Sequence, residues 1–155
     1  MNNQRLTDPQ NRARPILLVE DNPMDVDLTL QAFAEHNMAN PVPVCRDGEE
    51  ALDYIEAHGV PQDPQLPILV PLDLRLPKVD GIEVLKQARQ HPVWKKIPVI
   101  VLTTSRQNHD IDTAYQLGAN SYVVKPVDFT AFAEVVKTIK IYWLLTNEPP
   151  FPERA

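Results

Sequence analysis

The fold is indicated most clearly by the segment ILVPLDLRLPKVDG, residues 68–81. An apolar run of strand length ends there in a carboxylate, Asp73, and a proline and a glycine follow it. Buried strands of parallel sheets are short, nearly continuous apolar segments, and ligand chemistry in open α/β sheets gathers at their carboxyl ends. Asp73 therefore lies where a functional site is expected. The alternative interpretation is an aspartate that only opens a solvated loop.

Three further apolar segments also end in polar side chains. They read ILLV from Ile16, VIVL from Val99 and YVV from Tyr122. The side chains that follow them are, in chain order, Glu20 and Asp21, then Thr103, Thr104 and Ser105, and finally Lys125. Carboxylates, hydroxyls and an ammonium at the ends of four predicted strands indicate one shared site.

Length, charge and cysteine content exclude several classes of function. The 155 residues fit one domain, and the net charge of -6 argues against nucleic acid as a partner, because nucleic-acid binders usually carry a basic face. The apolar runs are shorter than the roughly 20 residues of a membrane helix. No leader pattern opens the chain, and a single cysteine, Cys45, cannot form an internal disulfide. We therefore expect a cytoplasmic protein without a membrane partner, in which Cys45 is a small buried hydrophobe.

Predicted strands and helices alternate along the chain. Besides the four strands, residues 41–45 are predicted as a short edge strand, because two prolines weaken it. Helices are predicted over residues 22–37, 47–56, 80–90, 108–117 and 128–145. This alternation implies a mainly parallel sheet with helices on both faces, a doubly wound α/β fold.

The pattern also predicts how the margins of the fold are arranged. Residues 1–14 form a flexible arm, residues 15–146 the folded domain, and residues 147–155 a proline-rich tail. Pro71 does not suit a central strand, because proline lacks a ladder donor, so either a bulge surrounds it or the strand begins irregularly. Phe129 is placed on the buried face of the last helix.

The carboxylates of Glu20, Asp21 and Asp73 are expected to meet at the edge of adjacent strands. Three crowded carboxylates repel one another at neutral pH unless a cation joins them. Mg²⁺ fits best, because it binds to one or two carboxylates, a carbonyl, waters and a phosphate oxygen, and Ca²⁺ is the runner-up.

Lys125 and Thr103 add an ammonium and a hydroxyl to this site, which together with a cation suit a phosphoryl group. The sequence has no serine–histidine pair, no Walker lysine loop and no metal-binding histidine spacing. The nucleophile that remains is the carboxylate itself, and an aspartyl phosphate is a known covalent intermediate.

The motifs at these strand ends together resemble the signature of response-regulator receiver domains. They are VEDN at 19–22, LDLRLP at 72–77 with DG at 80–81, VLT at 101–103 and KP at 125–126. The resemblance covers residues 15–145 and implies a CheY-like (βα)5 fold with strand order 2-1-3-4-5. It implies a single-domain response regulator of a two-component phosphorelay, which catalyses only its own phosphoryl transfer and autodephosphorylation.

The resemblance assigns a role to each residue of the acidic cluster. Asp73 would accept a phosphoryl group from a phosphohistidine of a sensor histidine kinase. Asp21, Asp73 and the main-chain carbonyl of Arg75 would bind Mg²⁺, with Glu20 acting through metal-bound water. The cationic Arg75 beside the site, and Thr104, which is bulkier than the residue usual at its position, would alter the access of water to the acyl phosphate.

The same resemblance indicates which residues bind the phosphoryl group and which residue changes position when it is bound. Thr103 and Lys125 would bind its oxygens, and the peptide bond between Lys125 and Pro126 would be cis. Tyr122 would be the switch aromatic, turning inward as Thr103 moves toward the phosphate.

A second set of motifs resembles the stand-alone regulators of cyanobacterial and bacterial phytochrome kinases. These motifs are NP at 22–23 with LT at 28–29, DG at 47–48 with ALDY at 51–54, TTS at 103–105, NSY at 120–122 and YWL at 142–144. The resemblance implies a light-regulated histidine kinase as the partner and a homodimeric regulator.

Tyr142, Trp143 and Leu144 are candidate dimer contacts. They are consecutive apolar residues, which a helix cannot hide on one narrow face, and exposed apolar patches usually have a partner. The alternative is that the tail folds over its own last helix.

Two other functional classes remain at this stage. A metal-dependent phosphohydrolase also uses an aspartate at a strand end, but such enzymes generally carry a second acidic residue where this chain has Arg75. A receiver-like scaffold that is never phosphorylated is disfavoured by the intact set of Asp73, Thr103 and Lys125.

Overall fold

The computed structural model describes residues 14–35 and 40–150, which form a five-stranded parallel sheet with helices on both faces. The sheet order is β2-β1-β3-β4-β5. The strands are β1 (Leu18–Val19), β2 (Val44–Cys45), β3 (Val70–Leu72), β4 (Val99–Thr103) and β5 (Ser121–Val124). The predicted fold class and strand order are confirmed, and β2 lies at an edge of the sheet as expected.

Five α-helices connect the strands, and most begin at a capping side chain. The helices are α1 (Pro23–Ala34), α2 (Gly48–Ala57), α3 (Gly81–Gln90), α4 (Asn108–Gln116) and α5 (Phe129–Lys140), with a 3-10 turn at Trp94–Lys96 and a π-helix at Ile141–Thr146. Asn22, Asp47 and Asp128 accept hydrogen bonds from backbone N–H groups of the first turns of α1, α2 and α5. None of the helices in the two described ranges is long and apolar enough to cross a membrane.

The sheet separates two hydrophobic clusters. Along β4, Val99 and Val101 pack with α2, α3 and α4, whereas Ile100 and Leu102 pack with α1 and α5. This alternation buries both faces of the strand, which explains its unbroken apolar sequence. Cys45 belongs to the first cluster, and burial raises the pKa of its thiol to about 12, as expected of a small hydrophobe rather than a reactive cysteine.

Pro71 interrupts the sheet on one side only. In β3, residues 70–72 pair with residues 99–101 of β4 in unbroken register, so the alternative of a bulge is wrong. The backbones of Leu69 and Asp73, two residues to either side of Pro71, bond to the β1 side, so the missing N–H of Pro71 faces β1 as well. There the ladder is reduced to an isolated bridge and a single registered pair. The irregular start of the strand is therefore the correct alternative.

Three predictions at the margins of the fold need correction. Arg14 is buried and donates to the carbonyls of Asp63 and Leu66 at 3.3 and 3.4 Å, so the predicted flexible arm is wrong for its last residue. Residues 1–13 lie outside the described ranges. Phe129 is 58% exposed, because it is the first helical residue after the cap, and Phe132 takes the buried position instead. Helix α1 ends at Ala34, earlier than predicted, and residues 36–39 are not described.

Helices α1 and α5 are joined by a buried lysine that the apolar pattern did not predict. Lys140 is 1% exposed, and its Nζ donates to the carbonyls of Ala32 and Glu35 at 2.8 and 2.7 Å. These carbonyls belong to the C-terminal end of α1, where backbone acceptors lack helical partners and a cation is favoured. Lys140 therefore caps α1 from a neighbouring helix.

Replacing this lysine with methionine (K140M) is expected to lower the free energy of unfolding by about 2 kcal/mol, because two carbonyls lose a buried charged donor. Urea unfolding followed by circular dichroism measures the change. The control is K137M, one turn earlier on α5, where the side chain is only half-buried. Equal losses in the two variants would show that the contacts of Lys140 with α1 contribute nothing.

Candidate functional site

Three carboxylates meet at the carboxyl edge of the sheet. Glu20 and Asp21 follow β1, and Asp73 follows the adjacent strand β3. A carboxylate oxygen from each lies within 4.8 Å of the other two, with Glu20 and Asp73 buried and Asp21 half-buried. The convergence expected from the sequence is confirmed, and oxygen donors in this number suit a hard divalent cation.

A buried ammonium lies against this cluster. Lys125 Nζ contacts Glu20 Oε1 at 2.6 Å, Asp25 Oδ2 at 2.9 Å and Asp73 Oδ2 at 2.9 Å. Its side chain is 4% exposed, so little solvent screens these contacts. The prediction of a cis bond before Pro126 is wrong, since no peptide bond in residues 14–35 and 40–150 is cis. The trans form is the intrinsically favoured isomer, and with it Lys125 already reaches all three carboxylates.

The electrostatics of the cluster follow from burial and crowding. The pKa of Glu20 is raised to about 7. Burial is the main cause and the charge of Asp73 adds to the rise, while the hydrogen bond and charge of Lys125 offset only part of it. For Lys125, burial opposes the charged form, but the carboxylates of Asp73 and Glu20 outweigh it and raise its pKa. One permanent cation thus faces a cluster whose anions are only partly neutralised.

The raised pKa of Glu20 predicts how the stability of the metal-free protein depends on pH. Between the ordinary value of 4.5 and about 7, the folded protein holds the Glu20 proton while the unfolded chain has released it. The free energy of unfolding should therefore fall as the pH rises through this window. We expect E20Q to remove this component of the fall, as measured by urea unfolding at several pH values without divalent ions.

An exposed glutamate supplies the control for that measurement. Glu56 lies on the surface of α2, and E56Q should keep the wild-type pH profile. If E20Q shows the same fall between pH 5 and 7 as the wild type, Glu20 does not hold a proton in that range.

Thr103, the predicted hydroxyl residue of the site, lies at the end of β4. It is fully buried, and within the described residues its Oγ1 makes no hydrogen bond. A buried hydroxyl without a hydrogen bond is costly, which points to a ligand that completes the site. An incoming phosphoryl oxygen would meet this need.

The Asp73 side chain is held from two directions. The backbone N–H of Arg75 donates to Asp73 Oδ1 at 3.1 Å, and Lys125 Nζ donates to Asp73 Oδ2 at 2.9 Å. Gly81 lies directly behind, since a Cβ there would come within 2.3 Å of the Asp73 carbonyl oxygen. Only glycine fits this approach, which explains the DG pair of the motif.

The side chains of the predicted modulators, Arg75 and Thr104, are both exposed. Arg75 Nη2 contacts Asp110 Oδ2 on α4 at 2.6 Å, and the Thr104 side chain is exposed. Ser105 Oγ donates to the same Asp110 oxygen, and the Tyr122 hydroxyl donates to the Ser105 carbonyl at 3.0 Å. The switch candidate and the loop after β4 are therefore tied together in this structure.

Sequence reasoning missed two acidic residues of this region. Asp25 has the sequence position of an ordinary acidic residue in a first helical turn, and Asp110 that of another. Their contacts with Lys125 and Arg75 join residues that are 100 and 35 positions apart. No local pattern signals such pairs.

The family follows from comparison with known proteins. A profile described as "Response regulator receiver domain" matches residues 16–137. The chain belongs to the response-regulator receiver domain family. The probable methanogenesis regulatory protein FilR2 of Methanothrix harundinacea (strain 6Ac) is 44% identical to this receiver domain over 137 residues, which cover 88% of each protein. Response regulator Rcp1 of Synechocystis sp. is 36% identical over 145 residues, covering 94% of this chain and 99% of Rcp1.

Solved structures show the same receiver fold. The phosphorylated cyanobacterial phytochrome response regulator RcpA superposes with a TM-score of 0.82 at 39% identity, covering 88% of this chain and 97% of RcpA. The Mn(2+)-bound form of Rcp1 gives a TM-score of 0.81 at 36% identity, covering 87% and 97%. The acidic cluster of this receiver domain accordingly fits a divalent metal.

Proposed function

We propose that this receiver domain accepts a phosphoryl group on Asp73 from a phosphohistidine of a sensor histidine kinase, one of the phytochrome type. The observation that carries the proposal is the contact of Asp73 Oδ2 with the buried ammonium of Lys125, at the edge of an acidic cluster. An anionic nucleophile beside a fixed cation suits transfer of a charged phosphoryl group.

The chain's own residues account for each part of the transfer. A carboxylate oxygen of Asp73 forms a bond to phosphorus, the bond from phosphorus to the imidazole nitrogen breaks, and its electron pair returns to that nitrogen. The Arg75 N–H and Lys125 orient the acceptor carboxylate. As charge develops on the phosphoryl oxygens, it is stabilised by Lys125 and by the Thr103 hydroxyl, which has no hydrogen-bond partner among the described residues.

Asp21, Asp73 and the main-chain carbonyl of Arg75 would hold Mg²⁺ in this proposal, with Glu20 acting through water. The fit rests on the donor set, because three close carboxylates with a single ammonium leave negative charge to be neutralised. When bound, the cation supplies positive charge to the carboxylates and to the phosphoryl oxygens.

A phytochrome-type kinase is the proposed donor because RcpA, a cyanobacterial phytochrome response regulator, is similar over 88% of this chain. The test is to mix a phytochrome-type kinase that carries labelled phosphohistidine with the wild type, D73N and D53N. Asp53 is exposed on α2, so D53N removes a carboxylate without touching the site. Label should move to the wild type and D53N within minutes and never to D73N.

Other outcomes of this experiment identify the alternatives. Label on D73N would reject Asp73 as the acceptor. A wild type that no phosphohistidine or acyl-phosphate donor labels would favour the scaffold, and turnover of a small phosphomonoester would favour the phosphohydrolase. Equal transfer from unrelated histidine kinases would reject only the phytochrome partner.

We also propose a homodimer that uses Tyr142 and Trp143. Tyr142 is 49% exposed and packs edge-on against Trp143, with ring centroids 5.0 Å apart. Leu144 is no longer a candidate, because it is 4% exposed within its own chain and packs in the cluster beneath α5. Pro149 is also buried, so this part of the tail folds over its own domain.

Alanine at Tyr142 (Y142A) should therefore shift the protein from dimer to monomer at micromolar concentration, because an exposed aromatic anchor is lost. Sedimentation velocity measures the shift. Y115A is the control, since Tyr115 on α4 is 51% exposed. A wild type that is already monomeric, or a Y142A protein that stays dimeric, would contradict the proposal.

A further inference from the structure

Lys125 has one partner that the acidic cluster does not include. Of the three carboxylates around its Nζ, Glu20 and Asp73 belong to the cluster that suits a cation, whereas Asp25 does not. Asp25 lies in the first turn of α1 and is 100 residues away in sequence. Its Oδ2 is as close to Nζ, at 2.9 Å, as that of the acceptor itself.

The backbone of Asp25 is fixed on both sides. Its N–H donates to Asn22 Oδ1 at 3.2 Å, and its carbonyl accepts from Thr29 Oγ1 at 2.7 Å. Thr29 is 1% exposed, so this contact is part of the packed core. An acid in a first helical turn is favoured by the helix dipole alone, but that effect requires no contact with a distant lysine. The Asp25 carboxylate therefore contacts Lys125 from a backbone that is held in place.

The other two partners of Lys125, Glu20 and Asp73, have further ligands to bind during phosphoryl transfer. A cation bound by the cluster and a phosphoryl group on Asp73 would both engage Glu20 and Asp73. Of the described carboxylates in contact with Lys125, Asp25 would then be the one that neither ligand uses. A long, flexible lysine side chain without such a partner would lose its fixed position.

We propose that Asp25 is a positioning residue for phosphoryl transfer, which holds the Lys125 ammonium at the acceptor oxygen while Glu20 and Asp73 engage the cation and the phosphoryl group. The inference rests on the proposed transfer to Asp73 and adds a residue to it. The bond changes stay the same. With acetyl phosphate as donor, an Asp73 oxygen bonds to phosphorus and the P–O bond to acetate breaks, its electron pair leaving with acetate.

The test compares the initial rates of labelling by acetyl phosphate and Mg²⁺ in the wild type, D25N and D27N. Asp27 lies on the same helix but is exposed, so D27N makes the same charge change without the contact. We expect D25N to be about tenfold slower, because it loses a charged hydrogen bond that positions a reacting group. D27N should match the wild type, and D25E should recover part of the rate.

Two further measurements separate positioning from a general structural effect. The Mg²⁺ affinity of D25N should stay close to that of the wild type, because Asp25 lies outside the metal cluster. In a K125Q background, followed over long incubation, the added D25N substitution should cause no further slowing, because its effect passes through Lys125.

Each remaining outcome overturns the proposal. D25N labelling as fast as D27N, or a full tenfold slowing by D25N in the K125Q background, would show that Asp25 does not act through Lys125. A wild type that takes up no phosphoryl group would reject the transfer to Asp73 itself, whereas a normal wild type with an unaffected D25N rejects only the role of Asp25.

Discussion

Replacing Lys125 with glutamine (K125Q) is expected to slow phosphoryl uptake about a hundredfold, because the transferring group loses the cation that is fixed beside it. The same change should tighten the binding of divalent cations. Lys125 Nζ contacts Glu20 and Asp73 at 2.6 and 2.9 Å, so a cation bound by the cluster would have to share these two carboxylates with it. Opposite effects on uptake and on cation binding are therefore expected from the loss of one ammonium.

K125Q should also destabilise the metal-free protein by about 3 kcal/mol, because buried carboxylates lose their compensating charge. Labelling by acetyl phosphate, calorimetric Mg²⁺ titration and urea unfolding measure the three effects. K86Q, at an exposed position on α3, is the control and should leave all three unchanged. Weaker cation binding by K125Q would contradict this expected competition for the two carboxylates.

Replacing Thr103 with valine (T103V) should separate function from stability. The hydroxyl is fully buried and makes no hydrogen bond within the described residues, so valine removes no contact from the folded state. The free energy of unfolding should stay unchanged or rise by up to about 1 kcal/mol. Phosphoryl uptake should fall at least about tenfold, because the hydroxyl's expected partner is a charged phosphoryl oxygen.

The neighbouring residue provides a matched control for this prediction. T104V makes the same chemical change at an exposed side chain and should alter uptake far less than T103V. A destabilised T103V protein would show that the hydroxyl is hydrogen-bonded within the domain. Phosphorylation of T103V at the wild-type rate would show that the hydroxyl does not stabilise the phosphoryl group.

Strand ends were the most predictable part of this protein. Continuous apolar strands require burial on both faces, and their parallel order brings Glu20, Asp21 and Asp73 to one edge, so the sequence pattern sufficed to place them together. The caps at Asn22, Asp47 and Asp128 were equally local signals. The strand order itself came from the resemblance to receiver domains.

Contacts between distant side chains were not predictable in the same way. Asp25 and Lys140 occupy positions that local patterns assign to solvent, yet one meets Lys125 and the other caps α1. The exposure of Phe129 depends on the exact residue at which α5 begins, and a pattern does not fix that boundary to one residue. The effect of Pro71 on the sheet was also not predictable. Only the register of β3 with β1 and β4 shows that its missing N–H faces β1.

We expect Asp73, in a cluster of anions completed by a divalent cation, to take up one phosphoryl group. The most direct measurement is the intact mass of the wild type and D73N after incubation with acetyl phosphate, with and without Mg²⁺. We predict one alkali-labile phosphoryl group on the wild type, only when Mg²⁺ is present, and none on D73N. An unmodified wild type in the presence of Mg²⁺, or equal modification of D73N, would contradict this account.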